Sequence, residues 1–382
     1  MVKTVVSKGV KMKKARLFVV NEDSLRTTQN TNIVSVITPQ PTGVQWLKTI
    51  ADIMADMLQV EIGDYIFLWE TRNASQKCRI HGVYRAISRP YYEITSPYDE
   101  SPFKIHVEAA YIFNNPLDEY DVLNCPFIKT PLWTITGKKV AGKSRGSTPL
   151  SQDEASKLIT LLIGRNPNYS FRELSQARVI EVPNPLRVDY RITGENNLTS
   201  QTLDAINPNQ LSFFTSDYDV QYEKVLETIF NQEMSSRNNL FYSQIGVNVD
   251  KVIWFSNYLP YSIEQSEMDY LIIESDDGEN LSRIFLIEFL KTKLDASHIH
   301  RCLLYSKWVN ETLALGESVT QPIIICSNSW DFINGEQTPH RQERAREMQQ
   351  LISDTVESFS TKSLQIFTYD FTGGIPRFIR RM

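Results

Sequence analysis

The sequence predicts two folded units of different class: a strongly bent, β-rich α+β unit first, then an α/β unit whose mixed sheet is flanked by helices. Three observations predict it. Residues 1–165 alternate short apolar runs with Gly and Pro punctuation, and 166–215 are poor in pattern. From 216 the order reads α-β-β-β-α-β-α-β, with late strands that are continuous apolar runs, as in sheets covered on both faces. A chain of 382 residues accommodates these units, and 41% hydrophobic with 22% charged residues is a globular composition.

In the first unit "ARLFVV" (15–20) reads as a strand, followed by "NEDSLRTTQNTN" as a polar loop. "QWLKTIADIMADML" (45–58) places Trp46, Ile50, Ile53 and Met57 at helical spacing. "VEIGDYIFLWE" runs from a Gly-Asp turn into a strand, and "CRIHGVYRAIS" is a second strand bent at Gly82. "FKIHVEAAYIF" and "PLWTITGKKVAGKS" follow. Ser151, with Glu154 three residues on, is a capping box opening a helix. The result is a small bent sheet or barrel closed by helices. Residues 166–215, with Pro167, Pro183, Pro185 and Pro208, read as linker with some short structure.

In the second unit, 216–382, "DYDVQYEKVLETIFNQ" is a helix with Tyr222, Leu226, Ile229 and Phe230 on one face. "VDKVIWFSNYLP", "MDYLIIES", "SRIFLIEFL", "QPIIICSN" and "SLQIFTYDF" are strands. "DASHIHRCLLYSKWVNETLAL" and "PHRQERAREMQQLISDTVESF" are helices.

The net charge of −5 gives no global attraction to nucleic acid, so such binding has to come from local patches. Lys3, Lys8, Lys11, Lys13, Lys14 and Arg16 form one, Lys138, Lys139, Lys143 and Arg145 another, and Arg377, Arg380 and Arg381 a third. The four scattered cysteines have no zinc-ligand spacing and point to free thiols in a reducing compartment. No apolar run approaches the roughly 18 to 20 residues that span a bilayer. The expectation is a cytoplasmic protein without membrane contact.

The chemistry concentrates in "SEMDYLIIESDDGENLSRIFLIEFLKTK", 266–293. Asp-Gly at 277–278 is a hairpin signal. Symmetric pairing about 278 to 279 sets Asp269 directly opposite Glu288, where Cβ atoms on one face lie about 4.5 to 5.5 Å apart. Two carboxylates so close in an apolar sheet repel, and each is costly to desolvate; a divalent cation removes both problems. The place two residues after Glu288 on the same face, where a Lys could position or deprotonate water beside a metal, holds Leu290. Lys291 points to the other face of a regular strand, so either a bulge turns it back or Lys293 reaches in from the strand end. The histidines are dispersed, and "HIH" (298–300) reads as helix surface. No Walker-type loop appears.

With Asp269 and "IEFLK" as its two halves, residues 216–372 resemble a PD-(D/E)xK nuclease domain with a restriction-endonuclease-like fold. The resemblance implies Mg²⁺- or Mn²⁺-dependent phosphodiester hydrolysis. Asp269 and Glu288 are then the metal ligands, Lys291 or Lys293 sits beside the water, and Glu223 in "YEKVLE" is a further acid. Met268 stands where the motif has Pro, and Arg301 where the following helix often has Gln; Tyr305 matches.

"ARLFVVNEDSL", "VEIGDYIFLWET", "CRIHGVYRAISRPYYE" and "PLWTITGKKVAG" resemble a PUA-like domain of the EVE and YTH type, over about 15–165. That implies nucleic-acid binding, with a modified base held in an aromatic pocket. Trp46, Trp69 and Trp133 are candidate walls, or else barrel core; Asn21 and Ser24 are candidate readers of the base edge. Lys138, Lys139, Lys143 and Arg145 are candidate phosphate contacts. Together the two resemblances imply a DNA endonuclease directed to modified bases in double-stranded DNA, with a homodimer as a possible assembly. A structure- or damage-directed DNA or RNA nuclease, and a catalytically inactive nucleic-acid-binding protein, are the alternatives.

Overall fold

In the computed structural model the N-terminal unit is built from β1 (Ala15–Val20), α1 (Glu22–Thr31), β2 (Ile33–Val36), α2 (Gly43–Leu58), β3 (Tyr65–Glu70), β4 (Arg79–Ala86), β5 (Tyr91–Tyr92), β6 (Phe103–Ile112), β7 (Leu117–Asp118), α3 (Glu119–Leu123), β8 (Ser147–Leu150), α4 (Gln152–Arg165) and β9 (Ser170–Phe171). A two-stranded parallel pair follows, β10 (Val188–Thr193) and β11 (Leu211–Ser216). The C-terminal unit comprises α5 (Glu223–Ser235), α6 (Asn239–Ser243), β12 (Val252–Pro260), β13 (Glu267–Glu274), β14 (Arg283–Leu290), α7 (Ala296–Thr312), β15 (Thr320–Ser327), β16 (Gln365–Asp370) and β17 (Arg377–Arg380). The structure describes residues 14–36, 43–71, 78–94, 101–123, 147–171, 178–193, 211–216, 220, 223–260, 267–278, 280–291, 294–314, 319–327, 364–371 and 376–381, with isolated positions between 343 and 354. The expected strand at 131–144 and most of the expected helix at 339–359 lie outside the described residues.

The first sheet runs β2-β6-β4-β3-β1-β8, with β5, β7 and β9 on its margins. Its bend has local causes. Gly82 adopts φ +49° and the pairing of β3 with β4 slips between Phe67 and Leu68, both of which raise local twist. β1 is buried on both faces. Leu17 faces Leu158 and Leu162 of α4, while Phe18 and Val20 join Ile50, Met54 and Met57 of α2 in another cluster. The capping box is present in full: Ser151 Oγ accepts from Glu154 N, and the Glu154 carboxylate accepts from Ser151 N.

One sequence expectation fails here. Residues 21–32, read as a polar loop, contain α1. Asn21 caps it, Glu22 and Asp23 lie in its first turn, and Asn32 ends it at φ 57°. Its buried face consists of Leu25 and Thr28 alone, too narrow a stripe to show as periodicity.

The second sheet is ordered β12-β13-β14-β15-β16-β17, with β14–β15 and β15–β16 parallel and the remaining pairs antiparallel. β14 shows why: Phe285, Ile287 and Phe289 face the cluster that holds α5, while Ile284, Leu286 and Leu290 face α7. A run buried on both sides needs a helix on each.

The units share a core, since one apolar cluster takes in Phe18, Ile50 and Phe103 as well as Leu226, Phe230 and Phe289. Within it α2 and α5 are bonded by a polar stripe. Thr228, Asn231 and Ser235, spaced at helical repeat, donate to the carbonyls of Ala51 (3.3 Å), Ala55 (2.8 Å) and Leu58. Ala51 and Ala55 leave room for that approach. Asn231 also accepts from Tyr270 Oη at 2.8 Å.

Replacing Asn231 with Leu strips the Tyr270 hydroxyl and the Ala55 carbonyl of a fully buried partner. A destabilisation of about 2 to 4 kcal/mol is expected, against about 1 kcal/mol for Thr228→Val, read from urea unfolding midpoints.

Candidate functional site

The register of the β13–β14 pair pins Tyr270 to Ile287, which sets Asp269 opposite Glu288 one step further on. Gly278, at φ +80°, closes the turn, tightened by Ser282 N donating to Glu274 O at 2.9 Å. The two carboxylates bond across the strands reciprocally. Glu288 Oε1 accepts from Asp269 N at 3.2 Å, and Asp269 Oδ2 accepts from Phe289 N at 2.9 Å. Glu288 is buried, and its second oxygen, Oε2, has no hydrogen-bond partner. Arg301 Nη2, from α7, lies 3.3 Å from that oxygen, in ion-pair range but outside hydrogen-bond alignment.

Glu223 opens α5 and brings a third carboxylate into the same field. Burial, then the Asp269 charge, raises its pKa from the ordinary 4.5 to about 8, against the opposing pull of Lys224. Burial raises Asp269 as well, countered first by Lys224 and then by its bond from Phe289 N–H. Burial and the neighbouring Asp269 push Glu288 well above the usual carboxylate range, with Arg301 opposing. Three acids that resist ionisation together form a site hungry for positive charge.

Two cations supply part of it. Arg301 stands where the sequence resemblance has Gln. Lys224 was not anticipated; its ammonium pairs with Glu227, which is fully buried and accepts from Asn257 Nδ2 at 3.0 Å. The available signal was "EKVLE" itself, a charge triplet inside an amphipathic helix. The expected lysines are placed differently. Lys291 is exposed at the end of β14, and Lys293 lies outside the described residues. His298 pairs with Asp295 at 2.8 Å at the start of α7, and His300 is exposed. Among the described residues no group of three or more His, Cys, Asp or Glu is arranged to hold a metal ion.

In the N-terminal unit Asn21 Oδ1 accepts from Ser24 N at 2.8 Å, so this pair caps α1. Trp69, 6% exposed, packs with Leu17, Phe67 and Ile80 in the core. Trp46 falls within α2, with its side chain outside the described residues, as are Trp133, Lys138, Lys139, Lys143 and Arg145 altogether. A cavity of about 370 Å³ lies between Asn32, Ile87, His106, Glu108, Arg178 and Ile180. No helix among the described residues is long and apolar enough to cross a membrane.

No protein-family model matches the chain, and no curated protein does. Solved structures do match. A hypothetical protein from Leishmania major is 9% identical, covering 40% of this chain and 96% of its own, at a TM-score of 0.29. Human THYN1 protein, in complex with 5-methylcytosine containing DNA, is 11% identical over 39% of this chain and 97% of its own, with a TM-score of 0.25. The YTH domain of Zygosaccharomyces rouxii MRB1 protein, in complex with N6-methyladenosine RNA, is 14% identical over 39% and 86%, at 0.25. The likeness lies in the N-terminal region.

Glu223 binds more protons folded than unfolded between its ordinary 4.5 and about 8, so the native state loses stability as pH rises through that window. Without divalent cations, the thermal midpoint is expected to fall between about pH 5 and about pH 8. Glu223→Gln should flatten the decline, as followed by circular dichroism.

Proposed function

We propose that this chain is a metal-dependent phosphodiesterase acting on nucleic acid, with the acidic centre of the second sheet as its catalytic site. The observation that carries the reading is Glu288, buried, opposed to Asp269, and left with one oxygen lacking a hydrogen bond. The donor set suits a hard cation. Two carboxylates are what Mg²⁺ or Mn²⁺ commonly takes from protein, with water and substrate phosphate completing the shell. When bound, such an ion would neutralise charge on the scissile phosphate and lower the pKa of a nearby water.

The chain's own residues have distinct roles in this reading. Asp269 and Glu288 hold the cation, each fixed by a backbone N–H from the facing strand. Glu223, with its pKa raised to about 8, keeps its proton at neutral pH and is suited to giving it to the leaving oxygen, as a general acid does. Lys224 and Arg301 bring the positive charge that an attacked phosphodiester demands, in place of a lysine on β14. The N-terminal unit holds the nucleic acid. Double-stranded DNA carrying a modified base is the substrate in this reading.

Arg301 also supports a second reading. An ion pair between its guanidinium and Glu288 offsets charge that a metal would otherwise offset, as expected of a binding protein whose nuclease site no longer cuts.

The two readings separate in one experiment, in which modified and unmodified duplexes are incubated with Mg²⁺ or Mn²⁺. Cutting is expected, with Glu288→Ala and Asp269→Ala each reducing the rate about 100-fold or more. Absence of both cutting and Mn²⁺ binding by calorimetry would leave the binding-protein reading standing. Equal cutting of both duplexes would remove the modified base as the determinant.

A further inference from the structure

We propose that four aromatic rings at the end of β6 form a stacking surface for single-stranded nucleic acid, separate from the acidic centre. β9 adds to the end of β6 through the pairs Tyr111–Phe171 and Ile112–Ser170. This brings together Tyr111, Phe113, Tyr169 and Phe171. Tyr111 lies 4.8 Å from Phe171, 5.7 Å from Phe113 in a stacked pair, and 6.0 Å from Tyr169; Phe113 and Tyr169 are 6.1 Å apart. These are ordinary spacings for rings in a core. The outer members, however, are on the surface, with Phe171 46% and Tyr169 39% exposed, beside Ile112 at 37%. A contiguous aromatic patch facing water marks an interaction site more often than an isolated exposed ring does.

The patch is held in place. Asn166, itself buried, ends α4 and clamps the segment after β6. Its Oδ1 accepts from Asn114 N (3.1 Å) and Asn115 N (2.8 Å), and its Nδ2 donates to Asn115 O (2.9 Å) and Leu162 O (2.8 Å). Tyr169 is drawn to the same turn by its N–H donating to Asn166 O at 3.1 Å. Preorganised rings lose little entropy when a ligand lands on them.

Charge selects the ligand class. The Arg85 guanidinium is buried among the rings, 5.2 Å from Phe171 and 5.4 Å from Tyr65. The ring set already has a cation against it, which disfavours the methylammonium or lysine ligands that aromatic cages otherwise take. It favours an electron-rich, anionic partner with flat faces, and nucleobases on a phosphate chain have both properties. Bases in a duplex are stacked on each other and cannot lie on this surface, so the partner is a single strand. The nearby Arg165 is ion-paired with Asp121 at 2.8 Å, so stacking rather than phosphate contact dominates.

The test uses the full chain in EDTA, where metal-dependent cutting cannot interfere, with fluorescein-labelled oligo(dT) and the matching duplex in anisotropy titrations. Tyr169→Ala combined with Phe171→Ala is expected to weaken oligo(dT) binding about tenfold or more, leaving duplex binding unchanged. Tyr169→Phe combined with Phe171→Tyr keeps the ring faces and should retain affinity. Failure of the wild type to bind oligo(dT) overturns the proposal, as does undiminished binding by the double alanine variant. Binding of a fluorescein-labelled oligoproline peptide, with no oligo(dT) binding, overturns it in favour of a protein partner. Glu288→Ala should bind oligo(dT) as the wild type does, so a failure here and a failure of the cleavage reading are told apart.

Discussion

Arg16 is the residue on which the arrangement of this molecule depends. It is 1% exposed, in the middle of a strand buried on both faces. A guanidinium withdrawn from water is costly unless its donors find partners. Here Nη1 reaches Ser147 Oγ at 3.1 Å and Asp56 O at 3.4 Å and Nη2 reaches the Gln59 side chain, while Nε has no hydrogen-bond partner. Burial lowers the Arg16 pKa, and Asp56 and Asp64 hold it up. Satisfying one cation therefore fixes the start of β8, the end of α2 and the turn that follows it.

The same demand crosses into the second sheet. Gln59 donates to Asn257 Oδ1 on β12, Asn257 donates to Glu227 on α5, and Glu227 pairs with Lys224. Lys224 in turn is the largest favourable charge acting on Asp269. A continuous buried polar chain thus runs from the N-terminal sheet to the acidic centre, alongside the Thr228–Asn231–Ser235 stripe that joins α5 to α2. Such networks add little net stability but penalise every alternative packing, because any slip leaves a buried group without a partner. The relative placement of the two units is specified by polar groups within an otherwise apolar core.

The acidic centre and the aromatic patch use opposite physics. At Asp269 and Glu288, burial makes charge expensive, which is the basis of the proposed affinity for a cation. At Tyr169 and Phe171, hydrophobic surface is left in water and held in position by Asn166, which is the basis of the proposed affinity for a flat partner. Both sit where strands end, at the opening of β13 and the close of β6.

By itself the sequence determined the elements with strong periodicity and the opposition of Asp269 to Glu288. Hairpin register follows from a local turn and alternation of period two, so a symmetric count about residues 278 and 279 suffices. The Ser151 capping box was equally legible, since both its bonds lie within four residues. Helix α1 was not, because its buried face is two residues wide, and β17 was not, because Phe378 is its one buried residue and its strand geometry depends on pairing with β16. Only the tertiary structure decided which cations serve the acidic centre. Lys224 and Arg301 lie 45 residues before and 32 after Asp269 in the chain, on helices whose positions depend on packing across both units. Charge fields act through space, and no local pattern of residues records which distant side chain will share a low-dielectric site.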